Sequence, residues 1–124
     1  MKQYNRKKGT KGEELAVQFL QKKDFRIIET NWQTRFGELD IIASKDSVLH
    51  FVEVKLKVGE RFGTPEEMIN KRKLYQVKKT AEMYLLKNKQ IRKDFIKFQI
   101  DAIAIVLLES GEVERISYYE NIDF

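Results

Sequence analysis

Leu15, Ala16, Phe19 and Leu20 are the first apolar stripe in the chain, and they recur at the spacing of one helix face. Thr10 followed by Glu13 has the form of a capping box, in which a hydroxyl and a carboxylate satisfy unpaired N–H groups. A helix is therefore predicted to open there and to end near Lys23. Residues 25–32, 37–44 (GELDIIAS) and 48–58 (VLHFVEVKLKV) are rich in β-branched and aromatic side chains and are predicted strands. Lys45, Asp46 and Ser47 form the turn that joins the last two into a hairpin. Thr64, Pro65 and Glu67 have the residue types of N-cap, N1 and N3 positions, which predicts a second helix opening at that point. Leu74, Val77, Ala81, Tyr84 and Leu85 give it an apolar face running to about Lys89. Residues 98–108 (FQIDAIAIVLL) are nearly continuously apolar, as a buried central strand is, and Ser110 and Gly111 then turn into a last strand over residues 113–119. The order α-β-β-β-α-β with an extra terminal strand is that of an α/β mixed sheet covered by helices.

Composition narrows the class. A chain of 124 residues, 42% hydrophobic and 35% charged, is one globular domain, too apolar for disorder and too charged for a membrane protein. Lys2, Arg6, Lys7 and Lys8 give residues 1–8 the character of a basic tail, and no apolar stretch follows them, so a signal peptide is not expected and the cytoplasm is the expected compartment. With no cysteine, disulfides, a thiol nucleophile and Cys-ligated zinc are excluded. Net charge is +5, and residues 71–93 carry nine basic side chains against a single acid, Glu82. A stripe this one-sided suits either a polyanion-facing surface or a solvated helix face. Lys71, Arg72, Lys73, Lys57 and Arg35 are the candidate nucleic-acid contacts.

The candidate chemistry lies where acids and a base interrupt predicted strands. Alternation along residues 51–56 puts Glu53 and Lys55 on one face and Val52, Val54 and Leu56 on the other. Hairpin pairing brings Asp40 beside Glu53, and two adjacent carboxylates in apolar surroundings call for a cation. Mg²⁺ or Mn²⁺ is the expected ion, held by Asp40, Glu53 and the Val54 carbonyl, with Lys55 orienting a water or stabilising developing charge. A salt-bridged surface hairpin explains the same three residues without chemistry. Glu38 reads as the end of a turn, His50 as an ordinary strand residue, and Asp101 as a buried acid paired with a lysine or arginine. Trp32 and the tyrosines at 75, 84, 118 and 119 read as packing residues before stacking ones.

These residues resemble the YraN family of small bacterial proteins. The likeness is carried by Gly9, Gly12, Glu13 and Ala16, then Asn31, then Gly37, Glu38, Leu39, Asp40, Ile41 and Ile42, then Phe51, Val52, Glu53, Val54 and Lys55, with Gly63, Lys73, Ala81 and Asp101 beyond. The resemblance implies the PD-(D/E)XK, restriction-endonuclease-like fold, with Asp40, Glu53 and Lys55 as its active-site triad. Archaeal Holliday-junction resolvases, similar in layout, place a metal-site glutamate on the first helix, which gives Glu13 a catalytic role beside its capping one. Where family members carry arginine, this chain has Lys57, Gln99 and Gln33, and the phosphate grip is weakened because neither side chain is a bidentate fork.

The leading expectation is a metal-dependent DNA endonuclease acting on branched or structured DNA, with a homodimer suited to two-strand cleavage. The alternative is a catalytically silent nucleic-acid-binding or adaptor module on the same fold, and a protein-interaction domain would use the same basic surface.

Overall fold

A computed structural model describes residues 3–122, with side chains described from Lys11 onward. The chain runs through α1 (Gln3–Lys22), β1 (Arg26–Gln33), β2 (Glu38–Lys45), β3 (Val48–Val58), a 3₁₀ turn (Pro65–Met68), α2 (Lys71–Lys87), α3 (Lys89–Asp94), β4 (Lys97–Leu107) and β5 (Val113–Tyr119). The five strands form one sheet in sequence order. Its pairs are antiparallel except β3 with β4, which are parallel from Val48↔Lys97 to Val58↔Leu107. Parallel neighbours need a crossover, and the segment holding α2 and α3 provides it. The mixed sheet with flanking helices is the architecture the residue pattern predicts.

Each face of the sheet has its own core. On one, Ala16 and Leu20 of α1 pack with Phe25, Ile41, Ala43, Val52, Ile103, Ile105 and Leu107. On the other, Val77, Ala81 and Tyr84 of α2 pack with Leu39, Ile42, Leu49 and Phe51. From Asp101 to Leu107 every residue of β4 is buried, which explains why that strand reads as a greasy run rather than an alternating one. The β2–β3 hairpin closes through Asp46 and Ser47, both at positive φ, the conformation of a tight two-residue turn.

Three predicted boundaries are corrected. α1 begins at Gln3, so Thr10 lies within the helix and does not open it; its side chain is outside the described residues. The segment read as a basic tail, residues 1–8, contributes the first turns of α1 from Gln3, and Met1 and Lys2 lie outside the described residues. The capping box at Thr64 exists, with the Glu67 N–H donating to Thr64 Oγ1 at 3.3 Å and the Thr64 N–H to Glu67 Oε1 at 3.1 Å. It caps only the short 3₁₀ turn. α2 has a separate N-cap, Asn70, whose side chain accepts from the Lys73 N–H at 2.9 Å. The helix then stops at Lys87, where the Asn88 amide donates to the Tyr84 carbonyl, and α3 follows.

Two close approaches fix the helices on the sheet. A Cβ on Gly12 would lie 3.4 Å from Leu56 and 3.7 Å from Val54, so α1 crosses β3 at ordinary contact distance there. A Cβ on Gly37 would lie 2.5 Å from Thr80 Oγ1, so the β1–β2 loop meets α2 where only glycine fits. Gln76 of α2 reinforces that contact by donating to the Phe36 carbonyl at 3.2 Å.

Candidate functional site

Where β2 and β3 enter the loop end of the sheet, their pairing stops. The register holds from Lys45↔Val48 to Ile41↔Val52, and two further steps would set Asp40 opposite Glu53 and then Leu39 opposite Val54. Leu39 instead packs in the same cluster as Ile42, although strict alternation would put it with Ile41 on the other face. The ladder loosens here, and the Val54 N–H donates to Asp40 Oδ2 at 2.9 Å. A side chain has taken the place of a backbone acceptor.

This contact draws a carboxyl into the opening between two strands, close to others. Glu13 of α1, Glu38 and Asp40 each offer a carboxylate oxygen, and the three oxygens lie within 4.8 Å of one another. Burial first, and then the charges of Glu53 and Glu38, raise the Asp40 carboxyl from 3.8 to about 8, with the Val54 N–H and Lys55 opposing them only in part. Glu13 is held from the side by Asn31, whose amide donates to its Oε1 at 2.7 Å. Asn31 occupies the left-handed region at φ 56°, which asparagine tolerates better than most residues, and β1–β2 pairing sets it alongside Asp40.

Glu53 is only 1% exposed, and its surroundings differ from those of the other acids. Lys55 Nζ and Lys73 Nζ each stand 3.3 Å from the same oxygen, Glu53 Oε2. Both lie off the hydrogen-bonding directions, so that buried oxygen has two charge partners and no hydrogen bond among the described residues. Asp40, Glu38 and Glu13 therefore form a group of converging carboxyl oxygens, and Glu53, Lys55 and Lys73 form an ion-paired group next to it.

The expected site residues thus gather at one end of the sheet with altered partners. Asp40 and Glu13 lie together, although the residue pattern reads Glu13 as a capping residue and only the resemblance gives it a place beside the metal. Glu53 and Lys55 share a face and an ion pair. Glu38 joins the acids, although it reads as a turn residue in the sequence; its position two residues before Asp40 on one strand was the available signal. Lys73, expected on the outer basic surface, turns inward to Glu53. Lys71, Arg72 and Arg35 are exposed, and Lys57 is half-buried with its ammonium 3.4 Å from the Phe62 carbonyl. A divalent ion fits the acid group on chemical grounds, since hard oxygen donors converge there and one carboxyl is held from ionising by burial and then by neighbouring acids.

Asp101 corrects a second reading. It is wholly buried on the α1 face, and its partners are not lysine or arginine. His50 Nδ1 and the Tyr118 hydroxyl each lie 2.5 Å from Oδ2, while the Gln99 amide and the Asn121 N–H donate to Oδ1 at 2.9 and 2.8 Å. Burial pushes this carboxyl upward, but those hydrogen bonds together outweigh burial and hold it below its ordinary range. His50 is thus a structural partner of a buried acid, stacked edge-on against Phe25 with centroids 4.9 Å apart.

Comparison with known sequences agrees along almost the whole chain. Residues 12–105 match the profile of the uncharacterised protein family UPF0102. A UPF0102 protein of Syntrophomonas wolfei subsp. wolfei is 44% identical over 108 residues, spanning 87% of this chain and 90% of its own. UPF0102 proteins of Dictyoglomus turgidum and Alkaliphilus oremlandii are 42% and 39% identical over 117 residues, covering 94% of this chain and 97% of theirs.

Proposed function

The chain belongs to the uncharacterised protein family UPF0102, the YraN proteins its motifs resemble, and we propose that it is a metal-dependent DNA endonuclease on a restriction-endonuclease-like, PD-(D/E)XK-type fold. The observation that supports this most is the crowding of Glu13, Glu38 and Asp40 beside the Glu53–Lys55 pair, at the end of the sheet where β2 and β3 part. Carboxylates held within 4.8 Å of one another repel, and a group that repels itself when empty is stabilised by a cation.

Asp40, Glu13 and Glu38 would hold a Mg²⁺ or Mn²⁺ ion, with Glu53 and the Val54 carbonyl as further oxygens on its Lys55 side. Such an ion supplies an acidified water and charge neutralisation at a scissile phosphate. The chain's own groups do the rest. Asn31 fixes Glu13, and the Val54 N–H fixes Asp40, so neither carboxylate must be ordered at the moment of reaction. Lys55, whose ammonium stands 3.3 Å from Glu53 Oε2, would place positive charge beside the phosphate, where negative charge develops on phosphorus-bound oxygen. Lys73, also 3.3 Å from Glu53 Oε2, would hold that carboxylate in place from the α2 side. The substrate is DNA, branched or otherwise structured, and a homodimer suits cleavage of two strands.

One observation favours a second reading, a catalytically silent nucleic-acid-binding or adaptor module. Glu53 already has two ammoniums on one oxygen, and the acids within mutual reach do not include it. Single-stranded, duplex, flap and four-way DNA incubated with Mg²⁺ or Mn²⁺ tests the two. Cleavage lost in Lys55→Ala and in Asp40→Asn establishes the nuclease; metal-independent binding of the same DNAs with no strand cut establishes the silent module.

A further inference from the structure

The tripeptide Arg-Phe-Gly occurs twice, as Arg35-Phe36-Gly37 and as Arg61-Phe62-Gly63. The first copy lies in the loop leading into β2 just before Glu38 and Asp40, and the second in the loop leaving β3 just after Lys55. Because β2 and β3 are antiparallel, the start of one and the end of the other share an end of the sheet, so the two copies flank the acid site.

Both phenylalanines point into solvent. Phe36 is 60% exposed and Phe62 is 85% exposed, against the strong tendency of phenylalanine to be buried. A single exposed ring needs no explanation, but two equivalent ones framing one site do. In both copies the preceding arginine covers the ring, with Arg35 Cζ 5.6 Å from the Phe36 centroid and Arg61 Cζ 5.4 Å from that of Phe62.

The loops that carry the rings are tied down. The Phe36 and Gly37 N–H groups donate to Thr34 Oγ1 at 3.1 and 3.2 Å, and the Phe36 carbonyl accepts from Gln76 of α2. The Phe62 carbonyl faces Lys57 Nζ, and the Gly63 N–H donates to the Glu60 carbonyl at 3.2 Å. Anchored backbone under an outward ring is the arrangement of a preformed contact, one that loses little freedom on binding.

We propose that Phe36 and Phe62 are stacking platforms for unpaired bases on either side of the acid site, with Arg35 and Arg61 holding the adjoining phosphates. Flat apolar rings offer a π-face to any base, and guanidinium groups beside them supply charge for the polyanion without reading sequence. Bases inside an intact duplex already stack on their neighbours, so these rings are served by single-stranded segments and by the open arms of forks and junctions. The inference rests on the nucleic-acid part of the proposed function and narrows its substrate to DNA with unpaired bases next to the cut.

The test is fluorescence anisotropy in chelator, where cleavage cannot intervene, with one labelled strand presented alone, in a fork with unpaired arms and in a blunt duplex. Wild type binds strand and fork more tightly than duplex. Phe36→Ala with Phe62→Ala reduces that preference about tenfold or more, Phe→Leu at both positions does the same because bulk without a π-face does not suffice, and Phe→Trp restores it. Since both rings are solvent-facing, melting temperatures should match wild type; if the alanine variant melts early, the leucine and tryptophan pair decides. Equal loss on all three DNAs, no loss in the leucine variant, or no DNA binding by wild type overturns the proposal. Ring-dependent preference without cleavage in metal would leave it standing and remove the nuclease, whereas cleavage with ring-independent binding would do the reverse.

Discussion

Asp40 titrates against its surroundings, and that has a measurable sign. Its folded carboxyl is raised from 3.8 to about 8, first by burial and then by Glu53 and Glu38, so the folded chain holds a proton there that the unfolded chain releases. Its stabilising contribution is complete below the unfolded value and is lost as pH rises through about 8. The metal-free protein should therefore melt at progressively lower temperature between pH 4 and pH 9, and Asp40→Asn should flatten that slope and melt higher than wild type at the alkaline end. Added Mn²⁺ should raise the melting temperature of wild type and leave the variant unmoved, because a ligand bound only to the folded state stabilises it by mass action. A variant that keeps the wild-type slope would show that Asp40 is not the group responsible.

Elements meet through small steric and ionic details, and two of these carry predictions. Gly37→Ala places a methyl 2.5 Å from Thr80 Oγ1, which requires α2 or the β1–β2 loop to move. A cost of about 1–3 kcal/mol is expected from overpacking, and Thr80→Ala in the same chain should return part of it, as chemical denaturation would show. At the far edge, Arg115 of β5 grips Glu66 of the 3₁₀ turn with two parallel bonds of 2.7 and 2.9 Å, and Tyr119 donates to the same carboxylate at 2.7 Å. The Arg115 bonds chiefly hold the Glu66 carboxyl down, from 4.5 to about 2. A lowered acid stabilises above its unfolded value and stops doing so as pH falls through its folded one. Arg115→Ala should thus lower the melting temperature at neutral pH, with the gap to wild type closing as pH falls from 4.5 towards 2 in calorimetry. The strands were legible because alternation and β-branching reveal them directly, and β3 and β5 begin and end where the residue pattern places them. The start of α2 was not, because Thr64, Pro65 and Glu67 form a true capping box over a single turn, and Asn70, the cap that matters, has no glutamate or proline after it. The start of α1 was hidden for a related reason: its first turns, through Lys11, have no apolar stripe and no acidic first turn.

At the scale of the whole molecule, charge and sheet geometry act together. Among the described residues, the exposed cations around the acid site include Lys71, Arg72, Arg35 and Arg61, with Lys57 half-buried and Lys73 engaged with Glu53. With roughly four phosphate contacts, DNA affinity should fall on the order of a hundredfold between about 50 and 200 mM salt. Salt-insensitive binding in the same titration would mean that these side chains do not face phosphate. No helix among the described residues is long and apolar enough to cross a membrane. The candidate site was legible in outline, because Asp40, Glu53 and Lys55 sit where strands should be apolar. Its remaining members were not, since Glu38, Asn31 and Lys73 are ordinary residues for a turn, a polar strand edge and a basic helix until the fold brings them to one place. The same holds for Asp101, whose partners His50, Tyr118, Gln99 and Asn121 come from three separate stretches of chain. That last cluster has a practical use. The chain contains one histidine, and its imidazole is sealed between Phe25 and a carboxylate on the opposite side of the sheet from α2. Its ring protons form an unlabelled, singly assigned beacon in a proton spectrum, able to announce whether the deep interior stays assembled while ions or oligonucleotides are added.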